Sequence, residues 1–358
     1  MTKGKKVFVG LSGGVDSALS AALLVRAGYD VTGVFIKIWQ PEFVACTWKE
    51  DRLDAMRVAV SLGIPFLTLD LSNEYKESVI ARMISDYKAG ITPNPDVLCN
   101  RFIKFGAFRE WALANGADMI ATGHHAQVIE RNGKFELLRG KDSGKDQAYF
   151  LCMLGQEDLS RTLFPIGHLA KSEVRAQARS LGLPVAKRPD SQGLCFVGAV
   201  DMHSFLKELI HPVLGNVLSP EGLVIGQHDG ACLYTIGQRH GFKVSDPERA
   251  KVPQYVVAIR TGSNELIVAP EVVKATRTEV EITQITWTQG VNPDLTKHYE
   301  GEVRYHHEPI RCSLEDVGDG EFRVLFEQPV LAVPGQSLVL YEGDVCLGGG
   351  VIKQTLSS

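Results

Sequence analysis

Apolar positions in the first 125 residues fall into short runs separated by stretches of helical spacing. KVFVG, VTGVFIK (31–37), IPFLTLDL (64–71) and ADMIATG (117–123) read as strands. Between the first two, Ala18, Leu19, Ala22, Leu23 and Val25 recur at helical spacing over 16–27, and Gly28 follows as a stop. Residues 50–62 repeat the pattern, with Leu53, Met56 and Val60 expected inward and Gly63 ending the helix. Two further helical stretches are predicted over about 72–89 and 100–114. This alternation predicts an α/β fold, a parallel sheet with helices on both faces. Residues 150–210 read as mostly helical.

From about 211 the texture changes. Gly, Pro and Asp punctuate HPVLGNVLSPEGLVIGQHDG at short intervals. From 276 the period becomes two, in TEVEITQITW, GEVRYHH, EFRVLFEQ, QSLVLYEG and CLGGGVIKQ. Short strands with frequent turns predict a small β-barrel or sandwich. The expected domains are therefore 1–210, with the parallel sheet and a helical extension, a small β-rich unit over 211–275, and a β-barrel over 276–358.

Composition is that of an ordinary globular chain: 358 residues, 44% hydrophobic and 22% charged. It excludes a disordered or fibrous protein. No apolar run approaches the roughly 18 residues of a membrane span, and the basic start is followed by too short an apolar run for a signal peptide. A cytoplasmic location is the expectation. Net charge is −4, but unevenly spread. Residues 276–358 hold 6 Lys and Arg against 13 Asp and Glu, whereas the rest of the chain holds 32 against 29. A polyanionic partner is thus expected against the first three quarters of the chain. The seven cysteines stand at 46, 99, 152, 195, 232, 312 and 346. Their odd number, their scatter and the lack of any CxxC argue against a disulfide framework or a structural zinc site.

The densest chemistry lies at 9–24, VGLSGGVDSALSAALL. Gly10, Leu11, Ser12, Gly13, Gly14, Val15, Asp16 and Ser17 join the first strand to the first helix. Glycines there let successive N–H groups point into one concavity, and the helix N-terminus adds partial positive charge. Ser12 and Ser17 add hydroxyls. The product is a phosphate cradle, though not a Walker A loop, because no Gly-Lys-Ser/Thr follows. The competing reading is a glycine-rich turn capped by Asp16 or Ser17.

Three further segments carry candidate chemistry. In TPNPDVLCNRFIKF (92–105), Asp96 and Cys99 share a helix face if a helix begins near Asp96, and a cysteine near a helix N-terminus is more thiolate-like. Asp96 as a cap and Cys99 as core remains open on these residues. Cys195 follows a turn rich in Asp, Ser and Gly in RPDSQGLCFVG (188–198), where a buried thiol is the plainer reading. In RGKDSGKDQAYFL (139–151), basic residues beside aromatics suit nucleic-acid contact, and a solvated loop suits them as well.

SGGVDS, TPNPDVLCNRFIKF, ATGHH, KDQAYFL, DSQGLCFVG, TIGQRHG and CLGGGVI occur in this order across nearly the whole chain. The ordered set resembles the tRNA-specific 2-thiouridylase family of PP-loop ATP pyrophosphatases. The resemblance implies a PP-loop domain, a small central β domain and a C-terminal barrel. It implies sulfur insertion at C2 of the wobble uridine of tRNA, with ATP and Mg2+ as cofactors and a persulfide donor protein as partner; no metal-ligating residues are singled out. It assigns Cys99 and Cys195 as the reacting pair, with Asp96 beside them. The nucleotide positions are Gly10 to Ser17 with Ile36 and Gly123. Asn94, Pro95, Asp96, Lys145, Asp146, Gln147, Arg304 and Tyr305 are the implied tRNA contacts.

The residue types suit this chemistry. Adenylation turns the uridine C2 oxygen into a leaving group. A persulfide on Cys195 can then attack C2, after which Cys99 attacks the S–S bond and a disulfide remains; the same two cysteines could instead hold the sulfur as released hydrosulfide. Two other readings are a PP-loop ligase that forms an amide on a small molecule, and a non-catalytic RNA-binding protein. The ligase leaves the cysteines and the barrel idle, and the intact SGGVDS speaks against the RNA-binding protein.

Overall fold

The structure, a computed structural model, describes residues 4–43, 48–190, 201–271 and 277–353. The chain opens with β1 (Lys6–Gly10), α1 (Val15–Arg26), β2 (Asp30–Lys37), α2 (Trp48–Leu62) and β3 (Phe66–Asp70). Helices follow over residues 72–88 (α3) and 95–114 (α4), then β4 (Met119–Ala121). A hairpin of β5 (Ala126–Arg131) and β6 (Lys134–Arg139) comes next, then the two-residue β7 (Thr162–Leu163) and helix α5 (Lys171–Ser180). All pairings in the sheet β3–β2–β1–β4–β7 are parallel. In β1, Val7 and Val9 pack into the core beneath α1, α2 and α5, while Phe8 packs into the core on the opposite face. That alternation is the period-two signature of a strand covered on both sides.

Three expectations change here. The inward face of α2 is Ala55, Val58 and Ala59; Leu53 is 42% exposed and Val60 76% exposed. Small residues at i, i+3 and i+4 let α2 approach the sheet closely, so the larger side chains turn outward. In α1, Leu24 is fully buried while Leu23 and Val25 are half-buried, because sheet and α5 cover the helix from two sides. Among the described residues of 150–210 the helices are short, Gln156–Ser160, α5 and Met202–Ile210, with β7 and extended connections beside them.

The central unit is a five-stranded sheet in the order 242–244, 224–228, 215–218, 265–269, 255–260. In the C-terminal unit, strands Arg277–Trp287, Glu321–Val330, Ile310–Gly318, Tyr299–Glu302, Ser337–Glu342 and Val345–Ile352 pair in that order. The last pairs back to the first, closing a barrel. Its interior is an apolar core of its own, including Ile282, Leu314, Val324, Leu338 and Leu340.

The β5–β6 hairpin and the strand at 310–318 are absent from the sequence reading. The hairpin had a signal: Asn132 and Gly133 form its turn with φ of 53° and 75°, the type I′ geometry that Asn-Gly favours. Leu138 pairs with Val345 and Leu137 with Cys346, so β6 extends the barrel's sheet into the first 210 residues. Leu137 is fully buried in the core shared with Tyr149, Val339 and Tyr341. No helix among the described residues is long and apolar enough to cross a membrane.

Leu137→Ala is expected to destabilise the protein by about 2–5 kcal/mol, as a core truncation. Val60→Ala should stay within about 0.5 kcal/mol. Urea denaturation of both variants measures the contrast. A large loss in Val60→Ala would restore the sequence-based face of α2.

Candidate active site

The loop after β1 is held from both sides. Leu11 N donates to Val34 O at 2.8 Å, tying the loop to β2. Ser12 N donates to Ser17 Oγ at 3.2 Å, and the Ser17 hydroxyl donates to Gly14 O at 3.1 Å. Gly13 has φ +79°, and a Cβ there would stand 2.5 Å from Asp51 O, so only glycine fits. Gly14 is the N-cap of α1 and offers no side chain to the first N–H groups. Those donors face the cavity with the helix dipole behind them. Across the cavity, Gly123 lies against the start of α1; a Cβ there would meet Ser17 N at 2.6 Å. The cradle therefore sits where the sheet order reverses between β1 and β4, outside the strands' carboxyl ends, the usual ligand crevice of doubly wound sheets.

Charge is concentrated around Asp16, on the first turn of α1. Lys171 Nζ lies 2.7 and 2.6 Å from its two oxygens, and His125 Nε2 is 3.5 Å away. Burial pushes the Asp16 carboxyl up, but His125 and Lys171 outweigh it and hold it below its ordinary value. Lys171 also reaches Asp190 Oδ1 at 3.0 Å, and Lys145 reaches Asp190 Oδ2 at 3.1 Å. Burial raises Asp190, and these lysines lower it further, to about 2. Behind this group, Arg188 bonds Asp51 and Asp54 of α2 and Gly13 O.

Deeper in, His124 is buried and its pKa is pushed well below the usual value, first by burial and then by the Lys104 ammonium. Lys104 Nζ lies 3.3 Å from His124 Nε2, and Nδ1 lies 2.7 Å from Thr122 Oγ1. The neutral ring thus accepts from Lys104 and donates to Thr122.

One cavity of about 540 Å³ is lined by Gly10, Leu11, Ser12, Gly14, Val15, Asp16, Ser17, Ile36 and Gly123, together with Lys145, Gln147 and Tyr305. Gly13 stands behind that lining. Asn94, Pro95, Asp96, Cys99, Asp146 and Arg304 lie off it. His124 and His125 of the ATGHH segment line it too; Lys171, Asp190, Trp48 and His306 also do so and were not among the expected site residues. Lys171 had a signal. It is the first residue of α5, where a cation opposes the helix dipole unless anions face it.

Cys99 lies on the second turn of α4 and is fully buried. The cap of this helix is Asn94, whose Oδ1 accepts from Val97 N at 3.2 Å, with Pro95 in the first turn; it is not Asp96. From Asn100 to Ala107 the helix is π-wound, which carries Lys104 to the cavity. The loop before it is clamped by the barrel. Thr92 N donates to Pro334 O at 3.0 Å, and Gln336 Nε2 donates to Thr92 O at 2.8 Å. Thr92 Oγ1 also bonds Thr235 Oγ1 of the central unit at 3.1 Å.

Asp146 is buried. It accepts from Gly140 N at 2.8 Å, Ala148 N at 3.0 Å and Arg139 Nη1 at 3.1 Å, while its own carbonyl accepts from Tyr305 Oη at 2.9 Å. Gln147 Oε1 accepts from His125 N at 2.9 Å. Lys145 is half-exposed at the cavity rim and Arg304 is exposed. Burial pushes the thiols of Cys152 and Cys312 up to about 12 and that of Cys346 well above its usual value. Cys46 and Cys195 lie outside the described residues. Asp190, five residues before Cys195, lines the cavity.

A doubly wound parallel sheet with an uncapped glycine- and serine-lined helix start at its switch point defines a nucleotide-binding domain of the PP-loop class. Residues 5–199 match the family profile described as "tRNA methyl transferase HUP domain". Residues 203–270 match "tRNA methyl transferase PRC-barrel domain", and 277–352 match "Aminomethyltransferase beta-barrel domain". The chain is 44% identical over 354 residues to the tRNA-specific 2-thiouridylase MnmA of Thiobacillus denitrificans, covering 97% of this chain and 99% of that one. It is 42% identical to the protein so named in Geobacillus thermodenitrificans, covering 98% and 95%. The chain belongs to the tRNA-specific 2-thiouridylase family.

Asp190 contributes a pH dependence. Its folded pKa of about 2 lies below the ordinary 3.8, so its ion pairs stabilise the fold fully above about pH 4. That contribution is lost as pH falls from about 4 to about 2. Urea midpoints at pH 5 and pH 3 should therefore drop more in the wild type than in Asp190→Asn. Equal drops would remove Asp190 from the acid response.

Proposed function

We propose that the protein is an ATP-dependent sulfurtransferase that thiolates C2 of the wobble uridine in tRNA. The observation that carries this reading is the phosphate cradle of Ser12 to Ser17 opening on the same cavity as Lys104, Lys145 and Lys171. The cradle suits the triphosphate of ATP, with Ile36 and Gly123 flanking the nucleotide. The names of the relatives support tRNA uridine as the substrate, and a cytoplasmic location goes with it. The profile descriptions name methyl transfer instead. An anion cradle has no part to play in transfer from a methylsulfonium donor, whereas adenylation needs one.

The uridine C2 oxygen would attack the α-phosphorus and release pyrophosphate, leaving AMP on the oxygen. The N–H groups of α1 and the lysines would take up the charge that develops on the departing phosphates. Magnesium would supply further neutralisation of the triphosphate. The ionised Asp16 carboxylate fits it as a hard oxygen ligand. No three His, Cys, Asp or Glu side chains converge among the described residues, so the remaining ligands would be phosphate oxygens and water.

Sulfur would arrive from a persulfide-carrying donor protein and rest on Cys195 as a persulfide. Its terminal sulfur attacks C2 and AMP leaves with the oxygen. The Cys99 thiolate then attacks Cys195 Sγ, forming the Cys99–Cys195 disulfide and releasing the thiocarbonyl. Asp96, one turn before Cys99, would take the thiol proton. Cys99 is buried, so base entry must uncover it. For tRNA, Lys145, Arg304 and Tyr305 would meet the backbone and the target loop, with Asn94 to Asp96 near the base. Asp146 and Gln147 would act by fixing the 139–147 loop.

Nucleoside analysis of tRNA incubated with protein, ATP, magnesium, a persulfide-carrying donor protein and a thiol reductant that reopens the disulfide tests the reading. Thiolated uridine formed with equimolar AMP is the expected result. A methylated nucleoside formed from S-adenosylmethionine, with no AMP, would support the methyl-transfer names instead. Gly13→Val and Asp16→Ala should abolish AMP formation. Cys99→Ser and Cys195→Ser should stop thiolation while ATP binding persists. Cys152→Ala, Cys232→Ala, Cys312→Ala and Cys346→Ala should remain active. Full thiolation by Cys99→Ser would end the paired-cysteine mechanism.

A further inference from the structure

Asp190 is held by more positive charge than one carboxylate needs. Lys171 and Arg175 meet its Oδ1, and Lys145 meets its Oδ2. Lys171 is only 12% exposed, and the same ammonium bonds Asp16 on the first turn of α1. One lysine thus brings the Asp190 carboxylate beside the phosphate cradle, inside the cavity that Ser12, Ser17 and Gly123 line. Three cations face two carboxylates here, leaving net positive charge for an anion larger than either. The spacing of two oxygens on a carboxylate is close to that on a phosphate. A carboxylate bridging two ammonium groups therefore has the shape of a bound phosphate.

We infer that Asp190 occupies the seat of the β- and γ-phosphates of ATP, and that Lys171 and Lys145 exchange it for those phosphates when the nucleotide binds. The inference rests on the ATP reading above and deepens it. Asp190 then acts as a positioning residue through the two lysines. Without nucleotide it keeps both ammonium groups in place and compensated. After the uridine is adenylated, it competes with the pyrophosphate product for the same groups and helps to release it. Its depressed pKa keeps the carboxylate charged at every working pH, as a competing anion must be.

Binding of pyrophosphate and of ATP to the full chain, followed by titration calorimetry, tests the exchange. Asp190→Asn removes the competitor and nearly preserves its shape. It should tighten pyrophosphate binding by about three- to tenfold, the range expected for breaking one partly exposed ion pair. It should also lower KM for ATP without raising kcat, because product leaves more slowly. Lys171→Met should weaken pyrophosphate by at least about tenfold, and Asp190→Asn added to Lys171→Met should recover less than its effect alone. A carboxylate that merely braced the fold would show none of this tightening. Unchanged or weaker pyrophosphate binding in Asp190→Asn, with normal ATP binding and AMP release in the wild type, overturns the exchange alone. A wild type that binds neither ATP nor pyrophosphate overturns the ATP reading with it.

Discussion

The close approach of Gly123 to the first turn of α1 sets the rest of the site. A Cβ at this position would stand 2.6 Å from Ser17 N, so any other residue would push the end of β4 away from the helix start. With glycine, the crevice between β1 and β4 stays narrow at its base, and the free N–H groups of α1 form one wall. His124 and His125 follow directly in the chain and reach the same crevice. The geometry of the crevice is thus a consequence of strand order, because β1 and β4 stay paired while the connections that leave their carboxyl ends diverge there.

The acidic barrel contributes geometry more than charge. It holds the 92–95 loop through Pro334 and Gln336, and it receives the Tyr149 hydroxyl on Ser337 O at 2.8 Å. Through β6 it is continuous with the hairpin that precedes the 139–147 loop. Tyr305 of the barrel then bonds the Asp146 carbonyl and lines the cavity. The helix that carries Cys99 is therefore aligned by contacts some 240 residues away in the chain. The acidic unit meets the lysine-lined cavity through Tyr305 and His306 rather than through its carboxylates.

The cysteines divide along the same physical line. Cys152, Cys312 and Cys346 sit in dry cores that hold them as neutral thiols, unsuited to attack. Cys99 is as deeply buried, but it stands near the start of a helix whose next turns open on Lys104 and the cavity. Burial alone does not separate it from the others; its place on α4 does.

The sequence by itself determined what depends on near neighbours. The strand–loop–helix from Lys6 to Arg26, the parallel sheet, the β-rich end and the glycine-rich turn at the start of α1 all follow from periodicity and from glycines within a few residues of one another, whereas closure of the barrel came from the pairing of its last strand with its first. It also held signals that local reading passed over, in Asn132-Gly133 and in Lys171 at a helix start. Only the tertiary structure decided what depends on distant partners. Ala55, Val58 and Ala59 face the sheet because packing favours small residues where helix and sheet come close, a preference invisible in the spacing of Leu53, Met56 and Val60. The meeting of Asp16, Lys171 and Asp190 brings together positions up to 174 residues apart. Charge pairing of that kind has no period along the chain, so nothing short of the folded backbone could place it.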